Sequence, residues 1–260
     1  MTTAWAQGGT QMAGMELFHF WDSFCSFKAR ICLAEKDLPW TGHHIDLMRF
    51  ENLKPDYLTV NPKGLVPTLR HEGNLVFESS VINEFIDDKY CEPPLKPADP
   101  LQRARMRYWV KVEEDELFAA VRPASLNLMM KQIFARYTEA DLDQLLSTHP
   151  RPHQIPLLKK MFLSPPDPKA VDQSRTMLRS TFARMDKALA KGGPWLAGQT
   201  YSLADIAAAP VIDRVERLGM ADVWRDLPAV KDWLTALVGR PAYIAASPPE
   251  EFRMPKPASI

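Results

Sequence analysis

The stretch Glu16-Leu-Phe-His-Phe-Trp-Asp-Ser-Phe-Cys-Ser-Phe-Lys-Ala-Arg30 joins a predicted β-strand to a predicted α-helix. The strand covers Glu16–Phe20. Apolar residues then recur at helical spacing, at Phe27, Ile31, Ala34 and Leu38, which is typical of a helix with one buried face. A short strand that runs directly into a helix favours a small α/β domain.

The pattern continues outward from this junction. Residues 40–47 read as a second strand, and 66–70 and 75–77 read as two short strands around the turn Glu72-Gly73-Asn74. A helix is predicted over Val81–Lys89. The order β-α-β followed by β-β-α predicts a small mixed sheet covered by helices.

Prolines mark the end of this unit, because Pro and the residue before it resist helix formation. This proline-rich segment contains Pro93, Pro94, Pro97 and Pro100. Beyond it the periodic segments are helical, including Arg103–Glu116 and a stripe of apolar residues at Leu178, Phe182, Met185 and Leu189. We therefore predict a first domain over 15–92, a linker over 93–100, an all-α domain over 101–247 and flexible tails at 1–14 and 248–260.

Composition narrows the functional class. The 260 residues contain 32 Lys and Arg against 32 Asp and Glu. The formal net charge is therefore zero, and no overall electrostatic attraction to nucleic acid or to an anionic membrane surface is expected. No apolar run reaches the ~20 residues that a membrane span needs. Three cysteines without metal-type spacing fit a reducing compartment. We expect a cytoplasmic protein without a metal site and without nucleic-acid or membrane partners.

The strand–helix junction offers the first candidate for chemistry. A helix N-terminus presents free N–H groups and a partial positive charge, and both stabilise an anion. Ser23, Cys25 or Ser26 could there support a bound thiolate or act directly. Lowering a thiol pKa from about 8.5 by roughly two units requires about 2.7 kcal/mol. One hydrogen bond to a charged group contributes about 1.5 to 3 kcal/mol. The alternative is that Ser23 caps the helix and Cys25 packs.

The second candidate motif is Val60-Asn-Pro-Lys-Gly-Leu-Val-Pro67. A cis Val66–Pro67 bond would turn the N–H and C=O of Val66 toward a peptide-like ligand, as in strand addition. The alternative is a trans proline at a strand entry, which is the commoner form.

The third candidate is Glu78-Ser79 before the helix that follows. The Ser79 hydroxyl and N–H could bind a carboxylate, and Glu78 could accept from an ammonium group. Together they would suit the head group of an amino acid. The alternative is again helix capping.

The order of these motifs, followed by the helical segment with Tyr201-Ser-Leu-Ala-Asp205, resembles the glutathione transferase superfamily over nearly the whole chain. The resemblance implies a thioredoxin-like N-terminal domain, an all-helical C-terminal domain, glutathione as co-substrate and a cis Pro67. It also implies that Val66 pairs with the cysteinyl part of glutathione and that Glu78 and Ser79 hold its γ-glutamyl end. Asn52 or Lys54 would reach the glycine carboxylate.

Two classes share local features with the chain. Ser23-Phe-Cys-Ser-Phe looks like the zeta-class Ser-Ser-Cys-Ser motif, with Phe24 in place of its second serine. Residues 95–109 and the extended segment from about 122 to 170 look like the bacterial β-aryl etherases of lignin catabolism. In the etherase pattern Ser26 aligns with a serine, and Cys25 stands where Asn is expected.

The resemblance implies attack of a glutathione thiolate on an apolar aryl electrophile, including β-aryl ether cleavage. Phe20, Trp21 and Phe24 would line the substrate pocket, and the protein would be a homodimer. Two alternatives stay open. The first is a zeta- or omega-like isomerase or thiol transferase, and the second is a non-catalytic protein that binds glutathione or apolar ligands.

Overall fold

The N-terminal half of the chain folds around a four-stranded mixed sheet. The computed structural model describes residues 14–257. The strands are β1 (Met15–His19), β2 (Thr41–His44), β3 (Thr68–His71) and β4 (Asn74–Phe77). Their order in the sheet is β2-β1-β3-β4. β2 runs parallel to β1, while β3 is antiparallel to both of its neighbours.

Three helices belong to this sheet: α1 (Phe24–Glu35), α2 (Pro55–Val60) and α3 (Ser79–Lys89). α1 was predicted to bury one face, yet its eight residues from Ser26 to Leu33 are all buried. The reason is that α1 packs against α3 on one side and against two C-terminal helices on the other. A helix that is enclosed on all sides loses the polar face of a surface helix.

The C-terminal half is helical throughout its described part. Its helices are α4 (Pro100–Val112), α5 (Phe118–Ser125), α6 (Lys131–Phe134), α7 (Glu139–Leu146), α8 (Ile155–Leu163), α9 (Pro168–Gly192), α10 (Leu203–Arg217), α11 (Pro228–Val238) and α12 (Pro241–Ala246). The predicted apolar stripe lies on α9, and all four of its side chains are buried. The predicted helix over Arg103–Glu116 is confirmed as α4 and a π-helical turn that continues it.

Wider π-helical turns join α4, α5 and α6 into one continuous run. They cover Glu113–Leu117 and Leu126–Met130. Such turns shift the register of a helix and often occur near functional sites. Glu113, in the first of them, is buried and forms an ion pair of 2.5 Å with Lys28 of α1. The turn thus directs a charged side chain toward the helix that opens the candidate site.

Two further expectations differ from the structure. The strand predicted over 40–47 ends at His44, because Asp46 caps a short 3₁₀ turn at Leu47–Arg49. The tail predicted to be flexible from residue 248 packs on the protein in its described part, 248–257. Met254 is buried there, and its N–H donates to Asp22 over 2.6 Å. The tail predicted over 1–14 lies outside the described residues except for Gly14.

Candidate active site

Four chain segments meet at one end of the sheet. Phe18 of β1 is paired with His43 of β2 on one side and with Thr68 of β3 on the other. Thr68 is in turn paired with Phe77 of β4. The same end of the sheet therefore holds the segments that follow β1, β2 and β4 and the segment that precedes β3. These segments carry the candidate residues from the sequence.

Ser23 is the N-cap of α1. Its backbone is extended, with φ −93° and ψ 130°, and its Oγ accepts the N–H of Ser26 over 3.3 Å. The side chain is half-buried. Because the hydroxyl acts as an acceptor in this bond, its proton can be donated to an anion at the helix N-terminus.

Ser26 lies one turn deeper and is completely buried. Its Oγ accepts the backbone N–H of Phe20 over 3.3 Å. This bond holds the turn between β1 and α1, so the hydroxyl has a structural partner and does not face the open side of the junction.

Cys25 is half-buried beside the ion pair of Lys28 and Glu113. Burial raises the pKa of its thiol. The Lys28 ammonium and the nearby Ser79 oppose this rise, and the carboxylate of Glu113 adds to it. A thiol with a raised pKa is protonated at neutral pH, which disfavours direct attack by Cys25.

The Val66–Pro67 peptide bond is cis, as the resemblance implies. In the described part of the chain, neither backbone group of Val66 makes a hydrogen bond. The preceding residue is held firmly, since the carbonyl of Leu65 accepts from Tyr57 over 2.6 Å and from Asn61 over 2.9 Å. The unpaired groups of Val66 are thus presented at the entry of β3, where an extended ligand could pair with them.

Glu78 precedes α3 in an unusual backbone conformation, with φ 64° and ψ 120°. Such a conformation is costly for a residue other than glycine and is found preferentially at functional sites. The side chain is 58% exposed and forms an ion pair of 2.9 Å with Lys63. Ser79 is buried at the first position of α3, where it faces Cys25.

Asn52 and Lys54 lie on the loop between β2 and α2. The Asn52 amide donates to the carbonyl of Gly64 over 2.8 Å, which ties this loop to the segment before Val66. Its buried Oδ1 has no partner among the described residues. Lys54 is exposed and contacts Glu51 over 3.2 Å.

Aromatic side chains surround Ser23. Phe20 is buried, Trp21 stacks on Phe252 with ring centroids 5.8 Å apart, and Phe24 meets Phe118 edge-on at 5.5 Å. A shallow open cleft lies beside these rings. It is lined by Trp21, Asp22, Ser23, Phe24, Phe27, Pro210, Asp213, Arg214 and Pro248. Of the predicted pocket residues, Trp21 and Phe24 thus line the cleft, whereas the buried Phe20 does not.

Two buried charged residues beside the site were not predicted. Arg30 donates to the carbonyls of Trp21 and Ala246 over 2.8 and 2.9 Å, and burial lowers its pKa to about 9. Asp22 accepts from Arg214 and from Arg217, each over 2.7 Å. These partners lie up to 216 positions away in sequence, so no local pattern marks them.

The fold defines a thioredoxin-like domain, with a cis proline at the entry of β3, joined to an all-helical domain. Family models agree with this assignment. The glutathione S-transferase N-terminal domain matches residues 22–89, and the glutathione S-transferase C-terminal domain matches residues 128–241.

Individual proteins of known sequence or structure are also similar to this chain. Protein LigF of Sphingobium sp. strain SYK-6 is 28% identical over 88% of this chain and 91% of its own. FtsZ-localized protein A of Caulobacter vibrioides is 30% identical over 87% and 88%. Maleylacetoacetate isomerase of Pseudomonas aeruginosa is 27% identical over 90% and 96%. The crystal structure of beta-etherase LigF superposes with a TM-score of 0.81, covering 89% of this chain and 98% of that one.

The chain belongs to the glutathione S-transferase family. The predicted fold class is thereby confirmed, and glutathione is the co-substrate of this family. Within residues 14–257, no helix is both long enough and apolar enough to cross a bilayer.

Proposed function

We propose that the protein catalyses the attack of a glutathione thiolate on an apolar aryl-bearing electrophile, and that β-aryl ethers derived from lignin are its substrates. The convergence of Ser23, Val66 and Glu78 at one end of the sheet carries the proposal. The β-ether part rests on the similarity to LigF, whose crystal structure is described as that of a beta-etherase.

In the proposed reaction the glutathione sulfur attacks the carbon that bears an aryloxy group. A C–S bond forms, the C–O bond breaks and a phenolate leaves. Ser23 donates its hydroxyl proton in a hydrogen bond to the thiolate, and the N-terminus of α1 adds its partial positive charge. Together they supply the roughly 2.7 kcal/mol that a two-unit fall in thiol pKa requires.

Glutathione would lie across the end of the sheet where these segments meet. Its cysteinyl part would pair with the free backbone groups of Val66 beside the cis Pro67. Its γ-glutamyl ammonium would replace Lys63 as the ion-pair partner of Glu78. Its γ-glutamyl carboxylate would accept hydrogen bonds from Ser79 at the start of α3. Asn52 and Lys54 are proposed for the glycine carboxylate, since both lie on the loop tied to Gly64.

The other residues at the junction receive supporting roles. Ser26 holds the turn through Phe20, and Cys25 remains a neutral thiol because burial raises its pKa. Trp21 and Phe24 form the wall for the aryl group, with Phe20 behind them. Exclusion of water by these rings keeps the thiolate reactive.

Replacement of Ser23 tests the mechanism. Ser23→Ala should lower kcat about 10- to 100-fold, the loss expected for one hydrogen bond to a charged group, while the Kd for glutathione changes less than about 3-fold. The assay follows phenol release from a β-aryl ether model compound in the presence of glutathione. Ser23→Thr keeps a hydroxyl and the helix cap and should retain activity. An unchanged kcat in Ser23→Ala would remove Ser23 from the mechanism.

The same assay separates the alternatives. Similarity to maleylacetoacetate isomerase favours glutathione-dependent isomerisation as a second candidate. Similarity to FtsZ-localized protein A at 30% identity makes a binding protein the third. Glutathione binding without phenol release would favour these two over the etherase, and cis–trans conversion of an unsaturated diacid would then distinguish the isomerase.

We also propose a cytoplasmic homodimer. Val81 on α3 and Tyr108 on α4 expose more than half of their apolar side chains, and a second copy could cover them. Light scattering that gives a single chain mass would contradict the dimer.

A further inference from the structure

We propose that the segment containing α7 and α8 (residues 135–164) positions glutathione by fixing the loop between β2 and α2 (residues 46–54). The inference rests on the proposed function, because Asn52 and Lys54 of this loop are proposed to bind the glycine end. The acting residues of this segment are Tyr137 and Thr148, and Phe50 is the residue of the loop on which the segment packs. Tyr137 and Thr148 touch the loop rather than the ligand, so they are positioning residues.

Hydrogen bonds from the α7–α8 segment hold both sides of the loop. The hydroxyl of Thr148 donates to the carbonyl of Leu53 over 2.7 Å. The hydroxyl of Tyr137 donates to the carbonyl of Met48 over 3.1 Å, and Arg136 donates to the same carbonyl over 2.9 Å. The loop is therefore fixed at two points that flank Phe50 and Asn52.

Phe50 anchors the centre of the loop. Its backbone is left-handed, with φ 58° and ψ 28°, and it joins two short 3₁₀ turns. This conformation is unfavourable for a bulky side chain. The ring is buried against Phe134, Tyr137 and Phe162, with centroids 5.7 to 6.0 Å away. Burial of the ring offsets the backbone cost, so the loop's shape depends on the segment that covers it.

The cluster around Phe50 is separate from the main core. Its buried members are Phe50, Leu53, Phe134, Leu142, Leu146 and Phe162. The loop thus packs on the helical half of the molecule, although its ends belong to the sheet domain. Lys54 follows Leu53 directly, and Asn52 precedes it. A shift of the loop would move both proposed ligands of the glycine carboxylate together.

The experiment compares glutathione with γ-glutamylcysteine, which lacks the glycine residue. The double variant Tyr137→Phe/Thr148→Val removes two hydroxyls without changing side-chain volume appreciably. Calorimetry should show a Kd for glutathione raised about 3- to 10-fold, in line with the modest net contribution of two hydrogen bonds. The Kd for γ-glutamylcysteine should stay within about 2-fold, and amide hydrogen exchange should accelerate over residues 46–54.

Ser147→Ala is the matched control. Ser147 neighbours Thr148, but its hydroxyl bonds to Gln144 within the same segment, so neither affinity should change. The inference would be overturned, and the proposed function left standing, by either of two results. One is an equal loss of affinity for both ligands in the double variant. The other is an unchanged Kd for glutathione together with unchanged amide exchange in the loop. A parent protein that binds neither ligand would overturn the proposed function, and with it the ligand named here.

Discussion

Ser23, Cys25 and Ser26 stand within four positions of one another, yet their surroundings differ. Ser23 keeps its hydroxyl proton free to be donated at the helix N-terminus. Ser26 is buried, and its hydroxyl accepts the backbone N–H of Phe20. Cys25 lies close to the charges of Lys28 and Glu113. The local motif named all three as candidates, and the family resemblance placed Ser23 first with Ser26 or Cys25 as alternates. The motif itself does not rank them, because their burial and the position of Glu113, 88 residues away from Cys25, are set by the tertiary structure.

The reactivity of Cys25 should follow its raised pKa. Because burial favours the neutral thiol and raises its pKa, alkylation of Cys25 by iodoacetamide should be slow at pH 7 and should rise only in more alkaline solution than for an ordinary thiol. Intact mass and peptide mapping follow the reaction, with the exposed Cys91 as internal reference. Faster labelling of Cys25 than of Cys91 at pH 7 would contradict this expectation and favour a thiol-transferase mechanism.

At the scale of elements, the helices that flank the site are defined by their ends. The pattern Ser202-Leu-Ala-Asp205 predicts a capping box, and the structure confirms it at the start of α10. Asp205 also accepts from Trp233 and from the backbone of Leu196. The cap therefore links α10 to α11 and to the turn before it.

Ser202→Ala should destabilise the protein by about 1 to 2 kcal/mol, the upper part of the usual range for a helix cap. Ser202 is completely buried, so the N–H groups that it leaves cannot turn to water. The free energy of unfolding in urea measures the loss. Thr138→Ala is the matched control, since it removes the same kind of box from the exposed start of α7, and its effect should be smaller. A larger effect at Thr138 would contradict the role assigned to burial.

At the scale of the whole molecule, Asp22 joins three distant parts of the chain. Its carboxylate binds Arg214 and Arg217 of α10 and the backbone N–H of Met254 in the C-terminal segment. Asp22 immediately precedes Ser23. The helical half of the molecule thereby holds the residue next to the proposed donor to the thiolate.

Asp22→Asn should cost about 3 to 5 kcal/mol of unfolding free energy at pH 7, because it leaves the buried guanidinium of Arg214 without its carboxylate and removes one from the half-buried Arg217. Burial opposes ionisation of Asp22, but attraction to Arg214 and hydrogen bonds from Arg217 prevail, and its pKa is lowered from 3.8. Its contribution is therefore present above pH 3.8 and is lost as the pH falls through the lowered value. Urea unfolding as a function of pH should show the difference between variant and parent shrinking in strong acid.

Asp226→Asn is the control for this change. Asp226 pairs with Arg179 at the surface, and exposed pairs contribute little, so stability should hardly change. A similar small effect for Asp22→Asn would show that the link to α10 and Met254 does not stabilise the fold.

The sequence by itself determined the succession of strands and helices and the motifs at their ends. It also indicated Ser23, the Val66–Pro67 segment and Glu78, because capping, turn and strand-entry preferences act between near neighbours in the chain. The family comparisons agree with that fold. Only the tertiary structure decided which groups are accessible, that Arg30 and Asp22 hold the junction, and that the tail over 248–257 packs beside it. The physical reason is that burial, charge pairing and packing join residues up to 232 positions apart, and no local pattern encodes such contacts.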